Sequence, residues 1–119
     1  MLALAAGTSW TVGVTTTETK RVAVVQAAPV VFDCAATLAK VHTLATDAAA
    51  GGARLVLFPE AFISGYPRGI SFGTVIGSRT HEGRDHFRRY WESSLDVPGP
   101  AVDDLAALAA QLGIHLLSA

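Results

Sequence analysis

Apolar positions along the chain alternate between short unbroken runs and three-four spacings, the signature of strands alternating with helices. RVAVVQAA, residues 21–28, is a Val-rich run closed by Pro29, which predicts a strand buried on both faces, as parallel sheets require. Asp33 stands where it can cap the next segment. Leu38, Val41, Ala45 and Ala48 then recur at helical spacing, and Gly51 with Gly52 ends the pattern. This predicts an amphipathic helix of about four turns. RLVLF, residues 54–58, reads as a second strand, so residues 21–58 form a βαβ unit.

Residues 59–81 hold Pro, Ser, Thr and several Gly around Phe62, Tyr66 and Phe72, an irregular stretch that is not hydrophilic and so is expected to line something. A helix is predicted over residues 83–95, bringing Phe87, Tyr90 and Trp91 together. DVPGP, residues 96–100, is a turn. In AVDDLAALAAQLG the residues Val102, Leu105, Ala109 and Leu112 face inward, Asp103 and Asp104 sit near the helix N-terminus, and Gly113 ends the helix. IHLLSA, residues 114–119, starts a third strand. The order β-α-β-α-α-β places the chain in the α/β class. A third strand that reaches the final residue has no following helix to cover it, so the expectation is a chain cut short.

Ahead of the first strand, residues 1–13 lack the basic segment of a secretion signal, and their apolar run is too short to span a bilayer. VTTTETK, residues 14–20, reads as a solvated lead-in, so nothing before Lys20 is expected in the core. Residues 1–20 are therefore read as a leader that is disordered or lies upstream of the true start, with Val14 as the expected initiator, and residues 21–119 as the domain.

Half the residues are apolar, which suffices for a core of normal density. Nine Lys and Arg against ten Asp and Glu give a net charge of −1, which supplies no electrostatic footprint for nucleic acid or an anionic membrane and points to a small polar or neutral partner. The single cysteine, Cys34, cannot form an intrachain disulfide, which leans toward a reducing, cytoplasmic compartment.

Glu60 is the leading candidate for chemistry. It follows the second strand directly, and open α/β sheets bind ligands outside the carboxyl ends of their strands. Walled by Phe62 and Tyr66, a carboxylate there would lose water on one side and gain a raised pKa, as a general base needs; the alternative is a surface acid that opens a loop. HEGRDH, residues 81–86, superficially suggests a zinc-binding helix, but His81 and His86 are five apart and point roughly 140° from each other, so no metal site is expected. Cys34 lies in a first helical turn, where the helix dipole favours a thiolate, yet no His or Lys is placed by local sequence to serve it. Arg68, Arg79, Arg84, Arg88 and Arg89 are read as a solvated face paired with Glu82, Asp85 and Glu92. Gly65, Gly69, Gly73 and Gly77 recur every four residues without a following Lys-Ser or Lys-Thr, so they are read as turn and packing glycines.

Four segments, VAVVQAAPVVFD, LVLFPEAFISGYPRG, FGTVIGSRTHEGRDHFRRYWESSLDVPGPAV and LAALAAQLGIHLLSA, resemble in order and spacing the nitrilase branch of the carbon-nitrogen hydrolase superfamily. The likeness covers residues 21–119. The Pro-Glu pair is shared across the superfamily, whereas the GYP extension and the arginine-rich segment before DVPGP look like nitrilase.

The resemblance implies the N-terminal part of a four-layer αββα sandwich. It also implies a site that joins a general-base Glu, a Lys and a nucleophilic Cys, with no metal or organic cofactor, a small-molecule nitrile as substrate, and a homo-oligomer for the complete enzyme. Glu60 falls on the base position and Tyr66 on a pocket wall. Lys40 and Cys34 match no motif, and the family's Lys and Cys belong to segments downstream of Ala119. The isolated chain is therefore expected to be inert. The rival readings are a related amidase or cyanide-hydrolysing enzyme, and a non-catalytic module that pairs with full-length subunits.

Overall fold

Three Val- and Leu-rich segments lie side by side and begin in step: Arg54 N donates to Arg21 O and His115 N donates to Arg54 O, both at 2.8 Å. The computed structural model describes residues 2–4, 18–66, 74–75 and 78–118, with the backbone alone for 2–4, 74–75 and 78–79. In chain order the elements are β1 (Leu2–Leu4), β2 (Val22–Val24), α1 (Cys34–Ala50), β3 (Leu55–Leu57), β4 (Thr74–Val75), β5 (Ser78–Arg79), α2 (His81–Glu92), α3 (Pro100–Leu112) and β6 (His115–Ser118). The main sheet runs β1-β6-β3-β2, and β4 and β5 pair separately. Mixed helix and strand with a parallel β2-β3-β6 centre is the α/β class expected.

Register decides which side chains meet. Ala23, Val56 and Leu116 are aligned across the three parallel strands. Val56 and Leu116 are buried with Val41 and Ala45 of α1 and Leu105, Leu108 and Ala109 of α3, so one face of the sheet carries the core. The other side of β2 is open, with Val22 and Val24 51% and 66% exposed. This corrects the expectation of a strand buried on both faces: β2 is an edge strand, and the helical layer covers only the side that carries Ala23. At the opposite edge Leu2–Leu4 pairs antiparallel with β6, Leu4 opposite Leu116. Three residues expected in a leader outside the core thus extend the sheet, satisfying a row of peptide groups that β6 would otherwise leave unpaired. Val14 lies outside the described residues.

The helix boundaries follow their caps. Asp33 accepts from Ala36 N at 2.9 Å at the start of α1, and Gly51 closes it through Asp47 O. Pro100 opens α3 and Gly113, left-handed at φ 62°, ends it. A 2.6 Å contact between His42 Nε2 and Asp104 Oδ2 joins α1 to α3 at the surface. Helix α2 starts two residues earlier than expected, because Thr80 caps it by accepting from Gly83 N at 3.0 Å. Its aromatic residues share a face at three-four spacing, but two of them are little buried. Phe87 and Trp91 are 53% and 72% exposed, and only a narrow strip with Gly83, Tyr90 and Ser93 turns inward. Arg88 pairs with Asp85 and Glu92 at 2.7 Å each, as expected of a solvated face.

Thr37 was not foreseen as a core residue, since it breaks the apolar pattern, yet it is fully buried. Its Oγ1 accepts from Val30 N at 3.0 Å and lies 2.9 Å from Asp33 O, fastening the loop before α1 to the helix. Thr37→Val keeps the shape but leaves Val30 N without its acceptor, and should lower stability by about 1–2 kcal/mol. The urea midpoint of the chain measures this, and an unchanged midpoint would remove the fastening role.

Candidate active site

The strand that carries Leu55–Leu57 ends for a covalent reason. Phe58 N still donates to Leu117 O at 2.9 Å, but Pro59 has no N–H to continue the ladder. The chain then turns sharply: Glu60 is exposed, and Ala61 takes the left-handed conformation at φ 51°, unusual for a residue with a Cβ. Ala61 O accepts from Tyr66 N at 3.2 Å and Gly65 N donates to Phe62 O at 3.1 Å, closing the turn on itself.

Glu60, Phe62 and Tyr66 line one open cleft of about 850 Å³ at the carboxyl ends of β2 and β3, whose other wall is the segment from Val25 to Pro29. Residues singled out from sequence therefore line one cleft. The enclosure is less than expected. Phe62 is 1% exposed and turns to Phe58, with ring centroids 5.3 Å apart, so it is the cleft's floor, while Tyr66 is 52% exposed at the rim. Glu60 lines the cleft and is exposed.

Helix α2 braces both sides of this region. Ser93 Oγ lies 2.8 Å from both Ser64 O and Tyr90 O, and the Tyr66 and Tyr90 rings meet edge to face at 5.9 Å. On the other side Arg89 lies 4.4 Å from the centre of the Phe32 ring, and His86 stacks on the same ring at 6.3 Å. Gly65 closes the gap, its Cα packed against the backbone of Val30, Val31 and Phe32. Ser64 and Ser93 were not identified from sequence, because small hydroxyls carry no periodic signal, and Tyr90 was singled out only for its aromatic spacing on α2.

Cys34 opens α1, but burial and the neighbouring Asp33 carboxylate push its thiol above the ordinary range. Both effects oppose the helix dipole that favours a thiolate. Cys34 should therefore react with iodoacetamide at pH 8 more slowly than an unstructured cysteine peptide; a faster reaction would restore it as a nucleophile candidate. Lys40 Nζ donates to Ala28 O at 2.9 Å, and Lys20 pairs with Glu18 at 2.6 Å. His42 is tied to Asp104, and His81 Nδ1 contacts Arg84 at 3.3 Å. Among the described residues no helix is long and apolar enough to cross a membrane. Arg68, Gly69, Gly73 and Gly77 lie outside the described residues, as does the side chain of Arg79.

Residues 21–119 match the family model for carbon-nitrogen hydrolase. A bifunctional nitrilase/nitrile hydratase of Nicotiana tabacum is 52% identical over 101 residues, covering 85% of this chain and 29% of that protein. Nitrilase 3 of Arabidopsis thaliana is 49% identical over 110 residues, 92% of this chain and 32% of its own length. An aliphatic nitrilase of Sinorhizobium fredii (strain HH103) is 49% identical over 96 residues, 81% of this chain and 31% of its own. The chain thus spans about a third of the length of these relatives. A family match over nearly the whole chain, with relatives at about half identity, means that the chain belongs to the carbon-nitrogen hydrolase family, in its nitrilase branch.

Proposed function

We propose that residues 21–119 form the general-base side of a nitrilase that converts an organic nitrile to a carboxylic acid and ammonia, with Glu60 as the base and Tyr66 as a wall of the substrate pocket. The observation that carries the reading is the position of Glu60 and Tyr66 on one cleft at the carboxyl ends of parallel strands. An exposed carboxylate on a turn can reach a partner brought to it from another part of the enzyme. In the reaction Glu60 takes the proton of a cysteine thiol, and the thiolate attacks the nitrile carbon. A lysine stabilises the negative charge that develops on nitrogen. Water then releases the acid and ammonia.

That cysteine and lysine are not among this chain's own. Cys34 is the sole cysteine and is held as a thiol, and Lys20 and Lys40 are engaged elsewhere. By this reading the 119 residues alone form no covalent intermediate. The complete enzyme supplies the remaining groups, works without a metal or organic cofactor, and acts as a cytoplasmic homo-oligomer.

The test is a graft of residues 21–119 into the tobacco relative in place of its matching segment, assayed for ammonia, acid and amide from nitrile and amide substrates. Ammonia and acid from the nitrile support the proposal. Turnover of amides alone would replace it with the amidase reading, and a folded graft without turnover would count against it. Because that relative is named as both nitrilase and nitrile hydratase, the amide is measured as a product as well as a substrate.

A further inference from the structure

The turn that presents Glu60 is closed by its own backbone hydrogen bonds and is also fastened from outside. Ala61 holds a left-handed conformation that is unfavourable for an L-residue, and such a conformation persists only where its surroundings over-determine it. Besides Tyr66 N, which donates to Ala61 O, the determinants come from the C-terminal end of α2. Ser93 is 4% exposed, and its hydroxyl lies 2.8 Å from Ser64 O, 29 residues away, and 2.8 Å from Tyr90 O, so its one proton is shared between the Glu60–Tyr66 turn and the end of α2. Ser64 Oγ lies 3.2 Å from Ala61 O and 3.3 Å from the Tyr90 hydroxyl. A hydroxyl has one proton, so the arrangement that satisfies all three groups has Ser64 donating to Ala61 O and accepting from Tyr90. Tyr90 thereby reaches the carbonyl of the strained residue next to Glu60, while its ring edge supports Tyr66.

We propose that Ser93 and Tyr90 are positioning residues that lock the Glu60–Tyr66 turn, fixing where the carboxylate of Glu60 can meet the proton it removes. The proposal rests on Glu60 being the general base. Neither residue lines the cleft. Their effect runs through Ser64 and Ala61. A shift of about 1 Å in a reacting group costs up to a hundredfold in rate, so a turn held by two hydroxyls is sensitive to the loss of either.

The graft into the tobacco relative provides the test. Ser93→Ala and Tyr90→Phe should each lower kcat about tenfold and change KM less than about twofold, because the base is displaced while the pocket wall stays. Ser93→Thr, which keeps the hydroxyl, should recover most of the loss. In a Glu60→Asp background, where the carboxylate has already lost its reach, Ser93→Ala should cost less than about twofold more. A merely structural role would lower activity by the same factor in both backgrounds, in step with a lower melting temperature, and that result overturns the proposal. Full kcat in a folded Ser93→Ala, Tyr90→Phe double variant overturns it as well. Glu60→Gln separates the two ideas: if it retains turnover, the base assignment itself fails and the positioning role falls with it. If it abolishes turnover while the α2 variants do not, only the positioning role is lost.

Discussion

Glu60→Gln in the graft should cut nitrile turnover by about 10²- to 10⁴-fold while the protein stays folded, which is the range a positioned base contributes. Gln preserves the volume and much of the hydrogen bonding of the side chain but cannot accept the proton. Because Glu60 is exposed and outside the core, its loss creates no cavity, so a fall in rate cannot be ascribed to unfolding. Glu60→Asp should also lose most of its activity. It keeps the charge but withdraws the carboxylate by one methylene, and proton transfer needs a reach of about 3 Å. Glu82→Gln is the control, the same change of charge at an exposed position in the first turn of α2, where at most a few tenths of a kcal/mol of helix stability is at stake. Near-normal turnover by folded Glu60→Gln would leave Glu60 as a surface acid that opens a loop.

Glu60 could be found from sequence because two simple rules converge on it: a short apolar run ends at proline, and ligands gather beyond the carboxyl ends of parallel strands. Helices α1 and α3 were legible for a similar reason, since their apolar spacing, their caps and their closing glycines all agree. What was not legible depends on partners far away in sequence. The Val-rich run at residues 21–28 looks the same whether a strand is central or at an edge, and only the sheet order shows that Val22 and Val24 are left open. Phe87 and Trp91 have core-like spacing on α2, but that helix lies along loops, so a strip too narrow to cover both rings is buried. Leu2–Leu4 gained a place in the sheet through pairing with residues 116–118, which no local pattern announces. Thr37 and Ser93 were missed because a buried hydroxyl is identified by all the groups it serves, and besides a carbonyl in the preceding turn each also serves a group seven or 29 residues away.

Gly65 is where the cleft region should prove most intolerant of added volume. Its φ of 69° is in the left-handed region, so any side chain there is strained by about 1–2 kcal/mol. A Cβ would also lie 3.3 Å from Val30 O and from Val31 Cα and 3.4 Å from Phe32 N, all backbone atoms that cannot rotate away. Forcing that gap open displaces the loop before α1, which is itself held by Thr37 and by Arg89 against Phe32. Overpacking of this kind adds about 1–3 kcal/mol, so Gly65→Ala should cost about 3 kcal/mol in all. Gly113→Ala separates the two contributions. It has a similar φ of 62°, but its Cβ would meet only the tip of the Arg54 side chain at 3.8 Å, so the conformational part alone, about 1–2 kcal/mol, should appear. The difference between the two urea midpoints therefore measures how tightly the Glu60–Tyr66 turn is pressed onto the loop at residues 30–32. Equal losses would mean that the loop yields freely, and the turn that carries Glu60 would then be held by its own backbone bonds and by the end of α2.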